Sequence, residues 1–298
     1  MTPAQSNLRG IAAMLISTAS FVTGDSFLKL LTEALPPFQV LFMRGVFATL
    51  FTGALVLALG QSAGFRHVFD RMVLSRSVFE TVGTLCFVVS LAALPIAEVT
   101  AIFQTAPLLF VVLVAVIWRE PIGAVRFVLV GLGFVGALLV ARPGPDGLSP
   151  AALLAFATAL CIALRDVVGR RVPRQIPALV VTVATMLVVT VSSGAATLLV
   201  EDPVWPAGRH LLYLLAASLF VAGGQFTTFL AFRLGEPGVV APFFYGFAVW
   251  AVIAGVLIFG EWPDPLALAG IAIIVASGLA VVLLDRRQVR DPLEAVPD

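Results

Sequence analysis

Residues 73–118 read VLSRSVFETVGTLCFVVSLAALPIAEVTAIFQTAPLLFVVLVAVIW. Two apolar runs, 73–94 and 97–118, meet at the dipeptide Pro95-Ile96. Each run has about the 20 residues an α-helix needs to cross the roughly 30 Å hydrocarbon core of a bilayer. So short a connection turns the second run back alongside the first, and the stretch is a transmembrane helical hairpin. Continuous apolarity over that length excludes a membrane barrel, whose strands alternate over about ten residues.

The rest of the chain repeats the pattern. Further runs at 8–31, 37–59, 122–141, 149–168, 177–200, 209–232, 238–259 and 265–284 bring the expected spans to ten. Composition agrees: 60% of the 298 residues are hydrophobic and 12% charged, against roughly 45–50% and 25% in soluble domains. Mean hydropathy is +1.07. Ten spans leave no room for a soluble catalytic domain. The first run carries Gly24-Asp25 and Lys29 late in its length and lacks a cleavage site, so it reads as a retained helix and not a signal peptide. A net charge of +1 argues against a nucleic-acid partner, which requires clustered basic excess. Cys86 and Cys161 sit inside apolar runs and read as core residues with no disulfide or metal role.

Charge sets the orientation. With both termini in the cytoplasm, 18 basic residues less Lys29, Arg142 and Arg209 outside and Arg44 within a span leaves fourteen inside. That is the positive-inside arrangement of a multi-pass protein in a bacterial inner membrane.

Sliding the chain on itself by 141 positions pairs Asp25 with Asp166, Pro36 with Pro177, Phe79 with Phe220, Gly83 with Gly224, Phe103 with Phe244 and Glu120 with Glu261. Rare residue types matching at one ungapped shift indicate duplication, with halves at 1–145 and 146–298. Five spans is an odd number, so equivalent helices run in opposite directions. The expected fold is therefore an all-α integral membrane protein of ten transmembrane helices arranged as two inverted five-helix repeats. Such repeats suit transport, because each half can take the conformation of the other and present one central site to either side.

The sequence resembles the ten-helix EamA branch of the drug/metabolite transporter superfamily over nearly its whole length. The resemblance rests on Leu94-Pro95-Ile96-Ala97-Glu98, Pro107 and Arg119-Glu120, and in the second half on Gly235-Glu236-Pro237-Gly238, Pro242 and Gly260-Glu261. Asp25, Lys29 and Arg44 are similar to one subgroup. What it implies is a monomeric basket moving small metabolites, often outward, with spans 3, 4, 8 and 9 around a central cavity. YddG-type amino-acid exporters are the leading expectation within it; carriers of S-adenosylmethionine and a channel-like facilitator are the alternatives.

On the third span Phe79, Glu80, Gly83, Thr84 and Phe87 recur at helical spacing, and span 8 supplies Phe220, Gly224, Gln225 and Thr228. Span 4 adds Thr100, Phe103, Gln104 and Pro107, and span 9 adds Pro242, Phe244, Tyr245 and Trp250. Polar groups have no partner in lipid. These faces are thus expected to line a cavity in which aromatic rings hold an apolar body and amides or hydroxyls fix its polar end. Bonding between neighbouring helices is the other reading of the same Gln and Thr residues. Pro107 and Pro242 interrupt their helices as hinges, gates or static bends. Gly83, Gly223 and Gly224 permit close helix approach.

Asp25, Lys29 and Arg44 lie at similar depth across the first hairpin and are expected to pair as one ion network, serving as a gate, a zwitterion site or a structural tie. Asp166 with Arg165 and Arg170 is its inverted counterpart near a solvated end. Glu80 is the deepest acid, open to proton coupling or to a substrate amine unless Arg76, one turn away, neutralises it. Glu98, Glu120 and Glu261 lie near span ends as caps or anchors. An intramembrane enzyme finds no support: His67 and His210 lie at or beyond span ends, and the only adjacent acids, Glu201-Asp202, are in a loop. No cofactor or metal is required. The partners expected are the bilayer and a small metabolite.

Overall fold

The computed structural model of the chain describes residues 3–58, 60, 62–119, 123–145, 147–173 and 175–294. Glu120, one of the expected anchors, lies outside them. The helices are α1 Pro3–Thr32, α2 Pro37–Ala58, α3 Arg71–Ala93, α4 Ile96–Phe103, α5 Ala106–Trp118 and α6 Ala124–Ala141. The second half holds α7 Pro150–Gly169, α8 Ala178–Val200, α9 Gly208–Leu234, α10 Pro237–Val240, α11 Gly246–Ala254 and α12 Pro265–Glu294. Among the described residues these make ten spans long and apolar enough to cross a membrane.

Local chemistry sets the ends. The Asp70 carboxylate accepts from the backbone N–H groups of Met72 and Val73 at the start of α3, and Ser149 with Pro150 opens α7. The fourth span is two helices, α4 and α5, broken at Gln104-Thr105 with Pro107 in the first turn of α5, where its missing N–H leaves no bond unmade. The ninth span breaks at the equivalent place, through a 3₁₀ turn Ala241–Tyr245 containing Pro242. Both spans stop in left-handed residues 141 positions apart, Arg119 (φ 56°) and Gly260 (φ 66°).

The inverted repeat is written in side-chain contacts. Ser17 donates to the carbonyl of Gly224 at 2.8 Å, and its mate Thr158 donates to that of Gly83 at 3.1 Å. Ser218 donates to the carbonyl of Arg44, and its mate Ser77 bonds Thr185, the counterpart of Arg44. Lys29 lies over the Phe259 ring and its mate Arg170 over Trp118. The pairs α1–α9 and α3–α7 are thus one interface made twice. Spans 5 and 10 pack backbone to backbone: a methyl group on Gly136 would sit 2.8 Å from the carbonyl oxygen of Gly270, and one on Gly270 2.6 Å from that of Gly136.

Both termini of the span bundle lie on one side, called here the terminal side. The half of the bundle away from it holds the largest apolar core, in which Leu28, Leu31, Leu41, Leu91, Ile96, Leu214 and Ala251 are fully buried.

Candidate functional site

A cavity of about 330 Å³ lies between the repeats, within the size range of small-molecule sites. Residues from spans 1, 2, 3, 4, 6, 7, 8 and 9 line it. Its floor is aromatic: Phe21 stacks on Phe247 at 5.8 Å, Phe244 and Phe103 approach Phe247 at 5.6 and 6.1 Å, and Phe87 meets Phe103 edge-on. Phe247 belongs to the apolar core of the far half, and Phe21, Phe87 and Phe244 pack against it.

Two charged groups face each other across the cavity. Toward the terminal side, Glu80 accepts from Arg165 at 2.7 Å and lies 3.5 Å from Arg76. Arg165 also bonds Asp166 at 2.8 Å, and Arg76 donates to the Thr185 hydroxyl. Glu80 therefore has two basic partners, and the one that sequence alone missed, Arg165, comes from α7. Arg165 turns inward from the expected solvated end because its stem reaches back from the last turn of α7 along α3. Arg170 does not join it; it lies 4.7 Å from the centre of the Phe110 ring.

Nearer the far side, Arg44 stands 3.6 Å from Asp25. Lys29 is not part of this pair. It donates to Glu261 at 2.6 Å and to the Leu94 carbonyl at 2.8 Å. The other Glu261 oxygen accepts from the N–H of Ile96, so Glu261 caps α4. The expected triad divides because Lys29, one turn beyond Asp25 on α1, follows the helix toward the start of α4.

Of the residues singled out in the sequence, Glu80, Gly83, Thr84, Phe87, Thr100, Phe103, Gln225, Phe244, Asp25 and Arg44 line the cavity. Others do not. Gln104 is fully buried at the break of the fourth span, its amide 3.4 Å from the Phe244 carbonyl. Tyr245, its repeat mate, is buried against Gly278 of α12. Trp250 packs on the far-half core, and Thr228 bonds Ser17 at 2.5 Å. Phe79 and the hinge candidates Pro107 and Pro242 stand off the cavity wall. Gly224 serves packing: a Cβ there would meet the Phe21 ring at 3.1 Å. The shared-face expectation fails for Gln104, Tyr245 and Trp250 at the breaks in spans 4 and 9, while Thr228, on the unbroken α9, turns to Ser17 of α1 instead. Sequence reading missed the span 7 face Thr182, Thr185, Met186 and Val189, although its i, i+3, i+4, i+7 spacing was available. A second cavity at the terminal ends of α8 and α9 shares Thr182 and Gln225 with the first.

A duplicated ten-span bundle around a central cavity that carries both aromatic and charged groups is the build of a membrane transporter. Comparison with known families agrees: the EamA-like transporter family matches residues 8–142 and 149–283, and the chain belongs to that family. Among its relatives is a riboflavin transporter of Rhizobium johnstonii, 28% identical, the alignment covering 95% of this chain and 92% of that one. An S-adenosylmethionine uptake transporter of Rickettsia prowazekii is 26% identical with 97% of both chains covered. A solved crystal structure 22% identical superposes with a TM-score of 0.66 over 96% of this chain and 99% of that one, which shows the shared fold. Family and relatives set the enzyme reading aside.

Proposed function

We propose that the protein is a carrier that moves a small metabolite by alternating access, binding it in the central cavity. The observation that carries this reading is the position of that cavity, at the interface of two inverted repeats and against the apolar core of the far half. The substrate combines an apolar or aromatic body, held on the Phe21, Phe103, Phe244 and Phe247 floor, with polar groups met by Gln225, Thr100 and the charged walls. Amino acids with apolar side chains fit that description. So do S-adenosylmethionine and riboflavin, after which relatives are named, and these are the second reading. Transport direction follows the gradient and any coupling. The distribution of basic residues supports a bacterial inner-membrane protein with cytoplasmic termini, and the family resemblance is what suggests a monomer.

The test is flux from proteoliposomes loaded with labelled amino acids, S-adenosylmethionine and riboflavin. Saturable, protein-dependent exit with counterflow is expected. Linear flux without counterflow would mean a channel-like facilitator, and no flux from folded protein would reject transport of these substrates.

A further inference from the structure

We infer that Asp25 and Arg44 read the two charges of a zwitterionic α-amino-acid group on the substrate. The inference rests on the central cavity being the substrate site.

What sets the pair apart is the state of its head groups, because the Arg76–Glu80 contact is about as long, 3.5 Å, but there each group has another hydrogen-bond partner. The 3.6 Å separation of Arg44 and Asp25 is beyond hydrogen-bond length. The side chains are 12% and 15% exposed for Arg44 and Asp25, and both line the cavity. Among the described residues the structure gives no hydrogen bond to either head group. By contrast, Arg165, Arg76 and Lys29 all donate to oxygens at 2.6–3.0 Å. A guanidinium carries five donors and a carboxylate about four acceptor sites, and burying such groups is costly unless those sites are filled. Here the open sites point at the cavity.

The geometry selects the ligand. An α-amino acid holds a planar carboxylate and an ammonium on one carbon, two opposite charges side by side. Arg44 offers the fork that binds a carboxylate through two parallel bonds, and Asp25 beside it accepts from an ammonium. Phe21, one turn before Asp25 on α1, begins the aromatic floor, so a side chain leaving the same carbon lies over Phe21 and Phe247.

The repeat sharpens the point. The counterparts of Asp25 and Arg44 are Asp166 and Thr185, and both are already used within the protein: Asp166 by Arg165, Thr185 by Arg76 and Ser77. The two halves therefore supply one open head-group site and one closed network, and a substrate has a single way round in the cavity.

The experiment uses the full chain in proteoliposomes and counterflow of the twenty protein amino acids, S-adenosylmethionine and riboflavin. The best amino-acid-bearing substrate is then compared with its analogues lacking the carboxylate or the amine; for L-phenylalanine these are phenethylamine and 3-phenylpropionate. Wild-type protein is expected to prefer the zwitterion over each analogue by about 10–100-fold, the worth of a charge-assisted hydrogen bond. Arg44→Gln should abolish the preference over the amine, and Asp25→Asn the preference over the acid, each leaving the other discrimination intact. A purely structural pair predicts equal losses for all three compounds and rescue by the charge-swapped double variant, and that result overturns the inference. Riboflavin transport insensitive to both substitutions, with no amino-acid-bearing probe moved, also overturns it while leaving the carrier reading in place. Absence of flux for every probe rejects the carrier reading, and the inference falls with it.

Discussion

The hydroxyls of Thr49 and Thr190 lie 3.4 Å apart in space and 141 positions apart in sequence. A pair of residues that are each other's repeat mate sits on the pseudo-twofold axis, where α2 crosses α8. If the halves exchange conformations during transport, this pair maps onto itself. Its distance should be the same in both states.

Spin labels on Thr49→Cys and Thr190→Cys are therefore expected to give one distance distribution with and without substrate. Two populations separated by several ångströms would mean that the halves do not exchange.

Lys29 joins α1 to Glu261 and to the Leu94 carbonyl at the far ends of the spans, and is expected to act as a latch there. Its mate Arg170 is held by rings, 4.7 Å from Phe110 and 6.0 Å from Trp118. Lys29→Met removes a partly buried ion pair worth about 1–2 kcal/mol, which is roughly a fivefold to thirtyfold change in population. Maleimide labelling of Val22→Cys, in the far-half core, is expected to accelerate by that factor from the far side. An unchanged rate would deny Lys29 that role.

Glu80 is paired with Arg165 and Arg76 and is expected to act as their fixed counter-charge. Glu80→Gln should lower thermal stability by about 1–3 kcal/mol, less than a fully buried pair because all three side chains keep about a fifth of their surface open. Transport should slow with the shape of its pH profile kept. A flattened pH profile would restore Glu80 to a coupling role.

Gln225 and Gln104 looked equivalent in sequence and separate in the fold. Gln225→Leu is expected to raise KM about tenfold with melting unchanged, because it loses a polar contact to substrate and, among the described residues, no side-chain hydrogen bond within the protein. Gln104→Leu should leave KM within about twofold and shift melting instead, since the side chain is fully buried at the joint of α4 and α5. Equal KM effects from both would show that the joint itself shapes the site.

Gly136 and Gly270 hold α6 against α12 with no side chain between them. Gly270→Val should cost about 1–3 kcal/mol of stability through overpacking, read as a lower melting temperature in detergent, with substrate affinity of the folded fraction unchanged.

The amino-acid sequence alone determined the spans, their number and the inversion of the repeat. Those follow from the bilayer, which demands about 20 apolar residues per crossing and fixes directions by counting. It also placed Asp25, Arg44, Thr84, Thr100 and Gln225 toward the interior, because polar groups have nowhere else to go in lipid. The tertiary structure alone decided the partners. Arg165 reaching Glu80, Lys29 leaving Asp25 for Glu261, and Gln104 turning into a joint all depend on long side chains crossing between helices distant in sequence, and on breaks that rotate one half of a span against the other. Hydropathy and spacing specify the face of a straight helix. They carry no information on where that helix bends or which neighbour a flexible charged side chain meets.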